Sequence, residues 1–218
     1  PNCSTIIMVM ALKPIYDLAK IKRVIVSTYQ AVSGAGKEGI DELDAQVREH
    51  SEGREMTANI LPSASAEKHY PIAFNLIPQI DVFCDNLYTK EEMKMVNETK
   101  KIMEDYEMRI TATTIRVPVY RSHSESVNIE LEKEVDLGAM REALAKFPGV
   151  TVQDDPSKQE YPMPLYTSEK DDVYVGRLRR DESCEKSYNM WVVGDQIRKG
   201  AALNTLQIAE TMIKNGWI

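Results

Sequence analysis

Apolar positions along this chain follow three patterns, and each predicts a different kind of element. Ile6, Ile7, Met8, Val9, Met10, Ala11 and Leu12 form an almost unbroken run, which predicts a largely buried helix with its first turn at the edge of a cleft and a kink or restart at Pro14. Ile40, Leu43, Ala45 and Val47 are spaced among acids, as on an amphipathic surface helix that stops near Ser51-Glu52-Gly53. Leu137, Met140, Ala143 and Leu144 repeat that spacing before a Phe147-Pro148-Gly149 stop. Thr89 caps a further helix with Glu91 and Glu92 early and Lys94, Lys100 and Lys101 late, an order that suits the helix dipole.

The remaining pattern is β-branched density with alternation. It predicts strands over 23–30, 110–119, 126–132, 172–178 and 187–193, with short extended pieces at 71–78 and 150–152. Ser33-Gly34-Ala35-Gly36 ends the first strand, and residues from Gly53 to about Tyr70 show no period. The strands 110–119 and 126–132 flank an Arg-Ser-His-Ser turn, and the second alternates as a half-covered antiparallel strand does. A last helix over about 199–213 carries Ala201, Ala202, Leu206 and Ile208, small and apolar residues that suggest close packing. This order predicts an α+β fold over residues 1–218, a mixed, largely antiparallel sheet with helices on one face. The other face then remains to be buried, which points to dimerisation.

Composition narrows the class. A chain of 218 residues with 43% hydrophobic and 28% charged residues can bury a substantial core. The net charge of -7 gives no electrostatic case for nucleic acid or an acidic membrane, so an anionic substrate needs a few placed cations. There is no apolar run of bilayer length and no signal-peptide pattern at the start, and the three widely spaced cysteines, Cys3, Cys84 and Cys184, suit a reducing cytoplasm. No Cys pair has zinc spacing, so no metal is expected.

Candidate chemistry begins at Cys3, which enters the first helix at its positive end, where free N–H groups favour a thiolate. The bland alternative is a small buried apolar residue. Of three histidines, His50 and His69 lie in polar sequence, whereas His123 sits in the turn between two strands, suited either to a cleft or to a solvated turn. Arg116 on a strand needs an anion, a ligand carboxylate or a structural partner. Glu91 and Lys94 share a helix face, where a solvated ion pair is the default.

Four blocks carry a family resemblance: Pro1-Asn2-Cys3-Ser4-Thr5; Ser27 to Gly36; Arg116-Val117-Pro118-Val119-Tyr120-Arg121-Ser122-His123-Ser124-Glu125; and Val192 to Gln196 running into Lys199 to Asn204. In this order they resemble the catalytic part of aspartate-semialdehyde dehydrogenase, in its archaeal and fungal branch. The resemblance implies a glyceraldehyde-3-phosphate dehydrogenase-like C-terminal domain that associates as a homodimer or homotetramer. It implies reduction of L-4-aspartyl phosphate to L-aspartate 4-semialdehyde with NADPH, releasing phosphate, in amino-acid biosynthesis. A thiolate attacking an acyl phosphate needs a proton-transfer partner and anchors for the substrate's charges. The implied roles are Cys3 as nucleophile, His123 as acid and base, and Gln30 orienting the carbonyl or intermediate. Arg116 is matched to the α-carboxylate, Glu91 (or Glu92, if the alignment slips) to the amino group, and Lys94 and Asn2 to phosphate. Ser33, Gly34 and Asn204 match positions beside the nicotinamide.

In that family a nucleotide-binding domain with a Gly-rich phosphate loop precedes the cysteine, whereas this chain begins at the cysteine. The expectation is therefore a catalytic and dimerisation portion, inactive by itself, whose last helix (about 199–215) packs toward the nucleotide-binding domain. One departure stands out: Ser122 occupies a position where many members have glycine, and a positive φ there would strain the turn holding His123. The alternatives are a malonyl-CoA reductase relative and a fragment that only associates.

Overall fold

The computed structural model describes residues 1–218, and its centre is the first helix laid across a six-stranded sheet. Helix α1 spans Cys3–Leu18, started by Asn2, whose side-chain oxygen accepts the Thr5 N–H at 2.6 Å. Pro14 does not restart the helix as a separate element. It is buried inside α1 between Leu12 and Ile15, both fully buried, so packing outweighs the missing N–H.

The strands are β1 (Ile21–Gln30), β2 (Arg109–Arg116), β3 (His123–Leu131), β4 (Val150–Val152), β5 (Val173–Arg180) and β6 (Ser187–Gly194), in the spatial order β2-β1-β3-β6-β5-β4. The β1–β2 and β4–β5 pairs are parallel and the other three antiparallel, so the sheet is mixed as the pattern predicts. Helices α1, α3 (Lys90–Met103) and α4 (Leu137–Lys146) cover one face. There Val24, Val26, Val127, Ile129, Val175, Met190 and Val192 join Ile7, Met8, Leu12 and Ile15 in one 25-residue core. The outer face stays half exposed, with Tyr29 and Trp191 in ring contact at 5.4 Å between centroids.

The reading of 110–119 and 126–132 as strands either side of a turn needs correction. Strand β1 lies between β2 and β3, pairing Gln30 with Arg116 on one side and Tyr29 with Ser124 on the other. Sequence neighbours are separated because β2 returns parallel to β1 after a long crossover through α2 (Lys37–Ser51) and α3. His123 is consequently the first residue of β3, fully buried, and not a turn residue.

Two other expectations change. Residues 71–78 make no strand, only an isolated bridge from Ile77 to Arg116. The aperiodic segment is instead laced to α2 by buried polar groups. Gln46 accepts the N–H groups of Ile72 and Ala73 at 2.8 and 3.0 Å, and Glu42 accepts those of Asn59 and Ile60. The last helix, α6 (Leu203–Lys214), follows a π turn at Arg198–Ala202 and buries no residue of its own. Ala201, Ala202, Leu206 and Ile208 are exposed, so the close packing expected of them is absent within this chain. The short helix α5 is Pro164–Thr167.

Candidate active site

Cys3, Gln30, Gly34, Glu91 and Arg116 come from five places in the chain and line one cavity of about 300 Å³, with Glu38 and Asp81 completing its charged wall. The fold brings them together by ending elements at one edge. Cys3 opens α1, Gln30 closes β1, Arg116 closes the parallel neighbour β2 beside it, and Glu91 sits in the first turn of α3.

Arg116 is buried, and its Nη1 donates to the Ala31 carbonyl at 2.7 Å while its Nε has no partner. Burial holds its pKa below the usual arginine range, against the opposing pull of Cys3 and Glu91. His123 grips the same residue from the other side: the Ala31 N–H donates to Nδ1 at 3.0 Å. That bond assigns the ring proton to Nε2, which is buried without a partner. Burial, then the Arg116 charge, pushes the His123 pKa well below the usual histidine value, so the ring is neutral.

The turn Val32–Ala35 passes directly over this pair. A Cβ on Gly34 would lie 2.6 Å from Arg116 Nη1 and 3.3 Å from His123 Cε1, so only glycine admits both side chains. Gly200, in the π turn, is held to glycine for the same reason: a Cβ there would meet Cys3 Cβ at 2.8 Å.

At Cys3 the balance runs opposite to the fall in pKa expected at a helix start. Burial pushes the thiol up to about 11, the Glu91 carboxylate adds to the rise, and Arg116 and Ser4 only partly oppose it. The N-terminal helix position is present but does not win, because the sulfur is largely desolvated and the Glu91 charge opposes a second negative charge nearby. Gln30 links these groups, its Nε2 donating to Ser4 Oγ at 2.6 Å and, more weakly, to Glu91 Oε1 at 3.4 Å.

Glu91, not Glu92, faces the cavity. Both Glu92 oxygens are spent on backbone, accepting from Thr89 in a capping box and from the Thr114 N–H of β2. Lys94 stands on the rim, 3.6 Å from Glu91 and 3.3 Å from Asp81, and is 45% exposed. Asn2 uses its oxygen as the helix cap and its backbone N–H on Glu98, leaving Nδ2 buried without a partner. Ser33 is buried, its hydroxyl bonded to Gln196 Nε2. Asn204 lies elsewhere: it lines a separate cavity under α6 with Met10, Phe147, Lys199 and Gln207.

Ser122 does take a positive φ, 75°, as the glycine at that family position implies. Its N–H donates to Gln196 Oε1 at 2.9 Å, and its hydroxyl meets Thr167 Oγ1 at 2.7 Å. Gln196 therefore ties Ser33 and Ser122 together on either side of His123. Gln196 lies at the end of a family-like block that by itself assigns it no task, and nothing in the local pattern marks Ser4, Gly200 or Asp81 as part of the site.

Residues 12–199 match the family described as semialdehyde dehydrogenase, dimerisation domain. The chain belongs to that semialdehyde dehydrogenase family. It is 54% identical over its whole length to the aspartate-semialdehyde dehydrogenase of Aquifex aeolicus, covering 62% of that protein. The Vibrio cholerae aspartate semialdehyde dehydrogenase II, solved in complex with ASA, superposes over 98% of this chain with a TM-score of 0.92 and 45% identity, and 61% of it is covered. The Candida albicans enzyme, solved with NADP, shares the fold at a TM-score of 0.71 with 24% identity, the match covering 100% of this chain and 57% of that one. This semialdehyde dehydrogenase domain is thus nearer to those bacterial proteins than to the fungal one, and it spans about three fifths of the relatives' length.

Proposed function

We propose that this chain carries the substrate-handling side chains of an NADP-dependent aspartate-semialdehyde dehydrogenase. The observation that carries the reading is the meeting of Cys3, Gln30, Glu91 and Arg116 in one cavity whose Gly34 wall rests on His123. Two of its charges suit L-4-aspartyl phosphate, Arg116 for the α-carboxylate and Glu91 for the ammonium, and beyond the lining Lys94 beside Glu91 and the buried Nδ2 of Asn2 are assigned to phosphate. A carboxylate at 91 has nothing to bind in malonyl-CoA, which favours the aspartyl substrate over a malonyl-CoA reductase activity.

Cys3 Sγ, once deprotonated, attacks the acyl carbon, the C–S bond forms, and the C–O bond to phosphate breaks, leaving a thioester and inorganic phosphate. Gln30 and the Nε2–H of His123 are the donors for oxygen charge on the tetrahedral intermediates. When bound, NADPH supplies the hydride that converts the thioester to L-aspartate 4-semialdehyde, with Cys3 as leaving group. Of the three residues matched to the cofactor, Gly34 fits best: it borders the cavity and its bare Cα leaves room there. Ser33 reaches it only if its bond to Gln196 is exchanged, and Asn204 faces the other cavity.

We assign the exposed Leu206, Ile208 and Ile213 of α6 to contact with the remaining part of the full-length protein, and the outer sheet face around Tyr29 and Trp191 to homodimerisation. The three free cysteines suit a reducing cytoplasm. NADPH oxidation with aspartyl phosphate by the full-length protein is the test, with malonyl-CoA as the competing donor. Cys3→Ser is expected to lower the rate at least about 10³-fold. Retained activity in that variant, or preference for malonyl-CoA, overturns the reading.

A further inference from the structure

The cavity has an unusual charge inventory for a site that takes a phosphorylated acid. Three carboxylates, Glu38, Asp81 and Glu91, line it with a single guanidinium, Arg116. Asp81 is neutralised in part by Lys94 on the rim, and Lys94 is farther from Glu91 than from Asp81. Glu91 is only 8% exposed and shares the cavity wall with Cys3, to which it is also joined through Gln30 and Ser4. A negative charge in a poorly hydrated pocket acts strongly on a sulfur that must itself become negative.

We propose that Glu91 gates the nucleophile: Cys3 stays a thiol while the Glu91 carboxylate is balanced only by the half-exposed Lys94 at 3.6 Å, and ionises when an ammonium group of the bound substrate pairs with that carboxylate inside the cavity. The proposal rests on the substrate class assigned above and adds to it a coupling between substrate charge and nucleophile formation. The charged and titratable groups around Cys3 are few. Glu91 and Lys94 come from α3, Arg116 from β2, Glu38 from α2, Asp81 from the preceding loop and His123 from β3. His123 is neutral and carries its proton on Nε2, so the Sγ proton leaves to water through the cavity mouth. Before an ammonium binds, Arg116 is the only cation in the lining that favours the thiolate, and burial together with Glu91 overrides it. Afterwards the Glu91 opposition is cancelled and the Arg116 attraction remains. The device keeps the thiol from oxidation and from wrong electrophiles, and it rejects acyl donors that lack an amino group.

The test measures the pH-dependent rate of Cys3 alkylation by iodoacetamide in the 218-residue chain, by mass spectrometry, with Cys84 and Cys184 as internal references. L-aspartate and succinate are the probes, since they differ only in the ammonium. L-aspartate is expected to speed alkylation at pH 8 about three- to tenfold and succinate not to, because thiolate fraction rises tenfold per unit of lowered pKa. Aspartate can also shield the sulfur sterically, so Glu91→Gln, with no ligand, is the second measurement. It is expected to move the alkylation profile to lower pH, while Glu38→Gln, farther along the wall, moves it little. An unchanged profile in Glu91→Gln overturns the gate while leaving the dehydrogenase assignment intact. A Cys3 that alkylates no faster than the reference cysteines in every form, with Cys3→Ser active in the full-length protein, removes both.

Discussion

Gly34 lies so close to Arg116 that a methyl group on its Cα would stand 2.6 Å from Nη1, with His123 Cε1 only 3.3 Å away on the other side. The guanidinium and the imidazole already hold the C=O and N–H of Ala31, so neither yields without losing a buried bond. Gly34→Ala is expected to keep the fold by circular dichroism and to lower kcat/KM of the full-length protein by about 10²-fold or more, the usual penalty for displacing a positioned group by an ångström. Kinetics like the parent's would remove the cradle from the account.

Ser122 is in the left-handed region and its hydroxyl still bonds Thr167. Ser122→Ala keeps the backbone strain and loses the bond, and is expected to cost about 1 kcal/mol in urea denaturation. Ser122→Gly loses the same bond but relieves strain worth about 1 kcal/mol or more, so it should stand close to the parent. Equal losses in the two variants would mean that the strain is negligible.

Glu125 follows His123 on the inward face of β3, fully buried, with neither carboxyl oxygen bonded. Burial raises its pKa well above the usual glutamate value, so the folded protein holds a proton that the unfolded chain releases above about pH 4.3. The contribution of this group to stability therefore falls as pH rises from there. Glu125→Gln is expected to be more stable than the parent at pH 7 by about 1–3 kcal/mol, since the amide removes the cost of protonating a carboxylate that the unfolded chain holds ionised, with the advantage vanishing near pH 4. A difference that does not change with pH would show that Glu125 is ionised when folded.

Leu206 and Ile213 on α6 are 56% and 64% exposed. Their replacement by Glu should change the stability of this chain by less than about 0.5 kcal/mol, as surface changes do. In the full-length protein the same double change is expected to lower the melting temperature by several degrees, through loss of the contact proposed for α6. A large loss in the 218-residue chain would place α6 in its own core.

Local pattern determined much of this protein. All four helix assignments before α6, all the sheet strands, the Thr89 cap and the α+β class follow from periodicity and local signals, because burying one face imposes a repeat on the residues that form it. The same holds for Gly34, which stands in a block legible from its order alone. What only the tertiary structure decided depends on which elements become neighbours. That β1 separates β2 from β3 depends on the edge of β1 to which the long crossover returns β2, which no window of residues contains. Helix α6 reads as a packed helix from composition, but apolar residues declare a need for burial without naming the partner. Cys3 shows the limit most clearly. Its place at a helix start argued for a thiolate, yet ionisation is set by the whole field at the sulfur, and burial with Glu91, 88 residues away in sequence, reverses the sign.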